Sequence, residues 1–324
     1  MDAILVTENL SKSFNRGRVK ALQNVSLCVN AGTIFGLLGP NGAGKTTFIK
    51  IILGLLRPQQ GSASLFGIPV SKPEARKRTG YLPENHRFPG YLTGLDFLYY
   101  CARLSGLNDK KQREKNAEKL LKQVKMWEWR KTKIKKYSKG MLQRLGLAQA
   151  LVHDPNIVFL DEPTDGVDPI GRKEIRDMML ELKARGKTIF LNSHLLSEVE
   201  TICDEVAILN QGKVVRQGTI RELTTSDRRY RIHADFQNRG LAEKVASMAR
   251  VYKTDPFFLE LSVSGPEQLN QIIDLLRNEG CLIQGIVPEK KSLEESFIQA
   301  IQQDGGGDLN AIFTTLHSEK ENTQ

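Results

Sequence analysis

A chain of 324 residues, 26% charged and 40% hydrophobic, is long enough for one large domain and a smaller one. No apolar run is long enough to span a bilayer, and the four cysteines (28, 101, 203, 281) lie far apart without metal-ligand spacing, which excludes an integral membrane protein and a disulfide or zinc scaffold. A net charge of +10 points to an anionic partner: nucleic acid, a membrane surface or nucleotide itself. The amino terminus lacks a basic region followed by an apolar core, so a cytosolic chain with reduced thiols is expected.

In chain order, residues 3–8 and 25–29 have the apolar spacing of short strands, with a turn at 15–20 between them. Residues 33–38 read as a strand and 46–53 as a helix. Thr93 and Asp96 form a capping box that opens a helix to about Leu104. Between Asn108 and Lys136 twelve Lys or Arg face only four acids, while Leu120, Leu121, Val124 and Trp127 recur at helical spacing. This predicts an amphipathic helix with a basic outer face, either merely solvated or lying near anionic lipid or a membrane partner. An apolar helix is expected at 145–152, a strand buried on both faces at 157–160, and a helix from Asp168-Pro169 to about Ala184 with Asp168 as cap. Residues 188–191 read as a second buried strand. Ser193 is expected to cap a helix ending near Ile202, and 206–209 with 214–217 to form a hairpin. Strands alternating with helices predict a parallel α/β core. After about Leu223 the composition changes, and a β-α-β-α-β-α series (230–236, 241–251, 257–263, 268–277, 281–287, 293–301) predicts a small α+β unit with ferredoxin-like features. Residues 303–324 are Gly-rich and polar, as in a disordered tail.

The chemistry concentrates in Gly39-Pro40-Asn41-Gly42-Ala43-Gly44-Lys45-Thr46-Thr47, set between a strand and a helix. Its glycines let successive backbone N–H groups converge on an anion, and the following helix adds its own unsatisfied amides. Lys45 is placed for the β- and γ-phosphates and the Thr46 hydroxyl for Mg²⁺. Asp161 and Glu162 follow the buried strand at 157–160, at the strand end where ligands of open α/β sheets gather. There Asp161 is suited to hold Mg²⁺ and Glu162 to polarise the attacking water. His194 ends the next strand segment, where a γ-phosphate sensor that also orients Glu162 is needed; the plainer reading is a packed, hydrogen-bonded histidine. Ser138 and Gly140 open the helix after Tyr137 and make a second anion-binding end. Two such ends on separate subdomains cannot meet one nucleotide within a chain. Two copies arranged head to tail satisfy both.

The ordered series 39–47, Glu84, 137–143, 157–162, 165–168 and His194 resembles the ATP-binding subunit of an ABC transporter, over roughly residues 3–223. The resemblance implies a P-loop NTPase core with a helical subdomain at about 90–152, followed by the α+β unit at 224–302. It also implies ATP and Mg²⁺ as ligands, a homodimer (or a heterodimer with a similar ATPase) that closes on ATP, and a place on the inner membrane face through separate permease subunits. Phe14 then stands where an aromatic ring stacks on adenine, and Glu84 where a glutamine usually approaches the metal. The segment 137–141, Tyr-Ser-Lys-Gly-Met, departs from the usual Leu-Ser-Gly-Gly-Gln at its first, third and fifth positions, keeping Ser138 and Gly140 and adding the charge of Lys139. These variants, and the small carboxyl-terminal unit, resemble the ABC-2 type exporter branch. Alternatives are an importer ATPase, or a soluble ABC ATPase acting on ribosomes or nucleic acid. The single cassette without a coiled-coil insertion speaks against the latter, so no nucleic-acid partner is expected.

Overall fold

A computed structural model describes residues 2–236 and 239–304. These divide into two compact units, one from the amino terminus to Ile220 and again from Phe297 onward, the other Arg221–Ser296.

The first unit opens with β1 (Ala3–Phe14), β2 (Val19–Asn30), β3 (Ile34–Leu38), α1 (Lys45–Ile52), β4 (Gln60–Leu65), β5 (Ile68–Pro69) and β6 (Thr79–Leu82). Then come α2 (Gly94–Leu104), α3 (Lys110–Gln123), α4 (Lys139–Leu151), β7 (Ile157–Asp161), α5 (Pro169–Ala184), β8 (Thr188–Asn192), α6 (Leu196–Ile202), β9 (Glu205–Asn210) and β10 (Lys213–Thr219), and the short α7 (Ile220–Thr224) crosses the boundary to the second unit. Two sheets result: an antiparallel one ordered β2-β1-β4-β5, and a six-stranded one ordered β10-β9-β3-β8-β7-β6. From β9 to β6 every pairing in the larger sheet is parallel. Strands β3, β7 and β8 are buried along their whole length, as a sheet covered on both sides demands. Phe190 on β8 is the hub of the core: its ring lies 5.5 Å from Phe35, 5.8 Å from Phe48 and 5.0 Å from Phe159. This cluster spans both sheets and pins α1 against them. Because β3, β6, β7 and β8 run the same way, the loops that follow them leave one edge of the sheet.

Several local expectations change. Strands β4 to β6 are additions to the expected elements, because Gln-Gly-Ser-Ala-Ser-Leu has weak apolar alternation and β6 is only four residues long. The basic helix α3 ends at Gln123 and does not reach Trp127, because Lys125 takes a left-handed backbone (φ 56°). Trp127 then lies under Arg130, whose guanidinium stands 4.2 Å from the ring centre. The capping box is present: Thr93 accepts from the Asp96 N–H at 3.2 Å, and its hydroxyl donates to the Asp96 carboxylate at 2.6 Å. Asp168 occupies the cap position of α5 without a side-chain bond to the helix, the fixed φ of Pro169 serving to start it. The cap of α6 is Leu195, not Ser193, which instead accepts the Leu195 N–H at 3.1 Å. The β9–β10 hairpin turns through Gln211 (φ 44°) and Gly212 (φ 79°), both in the left-handed region that tight hairpins require.

The second unit contains β11 (Thr225–Ala234), α8 (Arg239–Met248), β12 (Arg250–Asp255), β13 (Phe258–Ser262), α9 (Pro266–Asn278), β14 (Ile283–Lys290) and the start of α10 (Leu293–Gln303). Its antiparallel sheet is ordered β12-β13-β11-β14, with Leu241, Val245, Ile272 and Leu276 of the two helices packed on Ile232, Leu259 and Leu261 of the strands. The order is thus β-α-β-β-α-β before α10, one strand more than the sequence predicts. Strand β12 occupies the end of the stretch read as helix, because its exposed Arg250, Tyr252 and Lys253 conceal the single inward Val251. The expected disorder of the tail concerns residues that, beyond Asp304, lie outside the described ones. No helix among the described residues is long and apolar enough to cross a membrane.

Candidate nucleotide site

The phosphate loop connects β3 to α1. Gly44 sits at φ 109°, and a Cβ there would lie 2.2 Å from the Ala21 carbonyl oxygen, so both backbone angle and space restrict this position to glycine. The loop is braced from outside by the hairpin turn, since the Gly212 N–H donates to the Ala43 carbonyl at 2.9 Å and the Gln23 N–H donates to the Gly212 carbonyl at 2.7 Å. The Lys45 ammonium, buried, crosses the loop to the carbonyls of Gly39 (2.5 Å) and Pro40 (3.2 Å). Burial lowers its pKa, an effect opposed by the nearby charges of Glu162, Asp161 and Glu84.

Asp161 ends β7 directly opposite Asn192 of β8, and register places the two side chains together: the Asn192 amide donates to the Asp161 carboxylate. Burial raises the Asp161 pKa, with Glu162 and Glu84 adding to the rise and Asn192 and Lys45 opposing it. Tyr81, beneath them, is pushed up to about 12 by burial and then by Asp161 and Glu84. Glu162 has a left-handed backbone (φ 52°), a conformation costly for a non-glycine residue and typical of functional turns. It is held by its N–H to the Asn192 carbonyl at 2.9 Å, and its carboxylate meets His194 Nδ1 at 2.8 Å. Behind it Thr164, fully buried, donates to Glu198 at 2.8 Å, which also meets Arg176 at 3.4 Å.

Of these, Lys45, Glu84, Glu162, Asn192 and His194 open on one cleft of about 500 Å³. Residues 41–47 form its floor, Glu84, Glu162, Asp165, Asn192 and His194 one wall, and Phe14 with residues 19–21 the other. Phe14 is partly exposed, with the Lys12 ammonium 5.5 Å from its ring centre. Gly39 and Pro40 contribute through their carbonyls to Lys45, and Asp161 lies buried below the surface. Ser138 and Gly140 do not line the cleft. Ser138 caps α4 by accepting the Met141 N–H at 3.2 Å. Asn192 escaped the sequence reading, while Gln143 and Asp165 fall inside the motif segments 137–143 and 165–168 without a role assigned to them; the alignment of Asn192 with Asp161 on a neighbouring buried strand is the signal that marks it in hindsight. Among the described residues no group of three or more His, Cys, Asp or Glu is arranged to hold a metal by itself.

A phosphate loop, a buried strand-end carboxylate and a second acid held by histidine, at one edge of a parallel sheet, define a P-loop nucleoside-triphosphatase. The family model described as ABC transporter matches residues 22–165. An uncharacterised ABC transporter ATP-binding protein of Nostoc sp. is 41% identical over 308 residues, 93% of this chain and 90% of that one. The bacitracin transport ATP-binding protein BcrA of Bacillus licheniformis is 34% identical over 95% of this chain and its own full length. The daunorubicin/doxorubicin resistance protein DrrA of Streptomyces peucetius is also 34% identical, over 90% of each chain. A solved ATP-binding subunit of an ABC transporter superposes with a TM-score of 0.63 at 31% identity, covering 68% of this chain and 91% of that one. A dimeric cassette in a post-hydrolysis state with ADP and Pi gives 0.62 at 25%, covering 67% and 99%. The chain belongs to the ABC transporter ATP-binding family, and is an ATPase that powers transport.

One prediction follows from the buried carboxylate. Its folded pKa is raised, so ionised Asp161 destabilises the fold above that pKa, and the penalty vanishes below the ordinary aspartate value of 3.8, where both folded and unfolded chains are protonated. Asp161→Asn, which keeps an acceptor for Asn192, is therefore expected to raise the melting temperature at pH 7 while abolishing hydrolysis. Thermal unfolding of both proteins from pH 7 downward checks this, the difference shrinking as the pH falls.

Proposed function

We propose that this protein is the ATPase subunit of an ABC-2 type exporter and works as a pair of copies closed around ATP. In each copy Phe14 stacks on adenine, residues 39–47 wrap the phosphates, and Lys45 neutralises the β- and γ-oxygens. Glu162, steadied by His194, orients and deprotonates the water that attacks the γ-phosphorus, and His194 also senses the terminal phosphate. Ser138 and Gly140 of the second copy complete the site.

Magnesium fits the donor set. The Thr46 hydroxyl, Asp161 and Glu84 are hard oxygen donors, and the Asn192 side-chain oxygen is buried with no hydrogen-bond partner. Too few carboxylates converge to cage the ion alone, which suits Mg²⁺, an ion that shares its ligands between protein, phosphate and water. When bound it would neutralise charge developing on the phosphate oxygens.

The observation that carries the pairing is Gly140. It lies in the first turn of α4, directly after the Ser138 cap and Lys139. A Cβ there would meet nothing within 4 Å, and no left-handed φ requires glycine. This chain's own packing does not explain the residue; close approach of a phosphate held by another copy does. Gly140→Asp is accordingly expected to fold and bind ATP normally, yet to lose turnover about 100-fold through a carboxylate facing the γ-phosphate. Turnover measured against protein concentration tests this: wild-type specific activity should rise with concentration and the variant's should stay flat. Wild-type activity independent of concentration would refute the pairing.

Export is supported by the roles of the relatives BcrA, in bacitracin transport, and DrrA, in daunorubicin/doxorubicin resistance. Permease subunits would dock on the exposed Tyr91, Tyr100, Leu104 and Trp129 around α2, apolar side chains with no buried role in this chain. That docking would hold an otherwise cytoplasmic protein on the inner membrane face. In this reading residues 1–223 are the ATP-binding cassette, with its helical subdomain at 90–152, and residues 224–302 a ferredoxin-like accessory unit.

A further inference from the structure

Lys139 does not line the cleft. Its ammonium donates to Asp165 Oδ2 at 2.9 Å, three residues beyond Glu162. The next residue, Gly166, has φ 67°, and a Cβ there would come within 2.3 Å of the Cδ, Cε and Nζ of Lys139. The lysine therefore lies along the loop in space that only glycine leaves. Four residues on, and so on the same face of α4, buried Gln143 donates its side-chain amide to the Glu162 carbonyl at 3.1 Å. The Asp165 N–H reaches that same carbonyl at 3.2 Å. One face of one helix thus grips the catalytic loop at both ends, and the capped tip of that helix carries Ser138 and Gly140.

We propose that Lys139 and Gln143 are positioning residues that tie Glu162 to the helix tip, so that engagement of one nucleotide by Ser138 and Gly140 sets the carboxylate that serves the other. The idea rests on the paired-copy reading above. It assigns the extra charge of Lys139 to Asp165 of its own chain and not to a phosphate. The pair is exposed, its side chains retaining 63% and 52% of their accessibility, so its effect is modest and screened by salt.

The test compares variants of the full chain. Lys139→Ala should lower kcat about three- to fivefold at low ionic strength with KM for ATP unchanged, the deficit shrinking in high salt. Lys139→Asp should lower kcat further, and Lys139→Arg, which keeps a cation for Asp165, should retain it. In the Glu162→Gln background, Lys139→Ala should leave the ATP-trapped dimer intact. A raised KM together with a weakened trapped dimer would place the lysine on phosphate and overturn the proposal. So would a trapped dimer together with a kcat that Lys139→Ala does not alter at any salt concentration. Absence of any ATP-trapped dimer with Glu162→Gln alone would instead defeat the paired-copy reading itself, whatever the Lys139 variants do.

Discussion

Glu162→Gln is expected to cut ATP turnover by about 10³-fold while leaving ATP affinity within a few-fold of wild type. The amide keeps the size of the side chain and an oxygen for His194, whose ring stands 2.8 Å from the carboxylate, but it cannot take a proton from water. The backbone of residue 162 is set by its own N–H bond to Asn192 and by Gln143 on its carbonyl, neither of which the substitution touches. Bound ATP therefore persists, and with it whatever assembly ATP holds together. Single-turnover hydrolysis and size-exclusion chromatography in ATP read the two halves separately: slow chemistry with a stable dimer is the expected pair of results. Near-normal turnover would remove Glu162 from the chemistry.

Lys45→Ala acts earlier, on binding. Lys45 is the buried cation of the phosphate loop, placed among the carboxylates Asp161, Glu162 and Glu84. Removing it leaves triphosphate oxygens without their counter-charge in a recessed site, a loss of about 2–5 kcal/mol, or roughly 30- to several-thousand-fold in affinity. The fold should survive, because burial already penalises the ammonium and its partners are carbonyls at the loop edge. Calorimetric titration with ATP checks the prediction, and unchanged affinity would contradict the role given to Lys45.

What the sequence discloses and what it hides follow from range. The phosphate loop is legible because its function lies in consecutive backbone amides, so residue type and spacing within 39–47 suffice. Asp161 and Glu162 are legible because the wholly apolar run before them marks a buried strand and hence a strand end. Asn192 is not, because only the parallel register of β7 on β8 brings it to Asp161. The contacts of Gln143 and Lys139 are hidden for the same reason: their partners, the Glu162 carbonyl and Asp165, lie 19 and 26 residues further along the chain. Strand β12 escapes because an edge strand with charged outer positions shows a single inward apolar residue, and tertiary pairing with β13 decides its conformation. Lys125 cuts α3 short through a left-handed turn that no apolar spacing announces.

Whether ATP is shared between two copies is decided by a structure of the Glu162→Gln protein with Mg²⁺ and ATP. The γ-phosphate is expected on Lys45 of one copy within hydrogen-bond distance of Ser138 Oγ from the other. A γ-phosphate contacted by a single chain, with both Ser138 hydroxyls facing solvent, would contradict it.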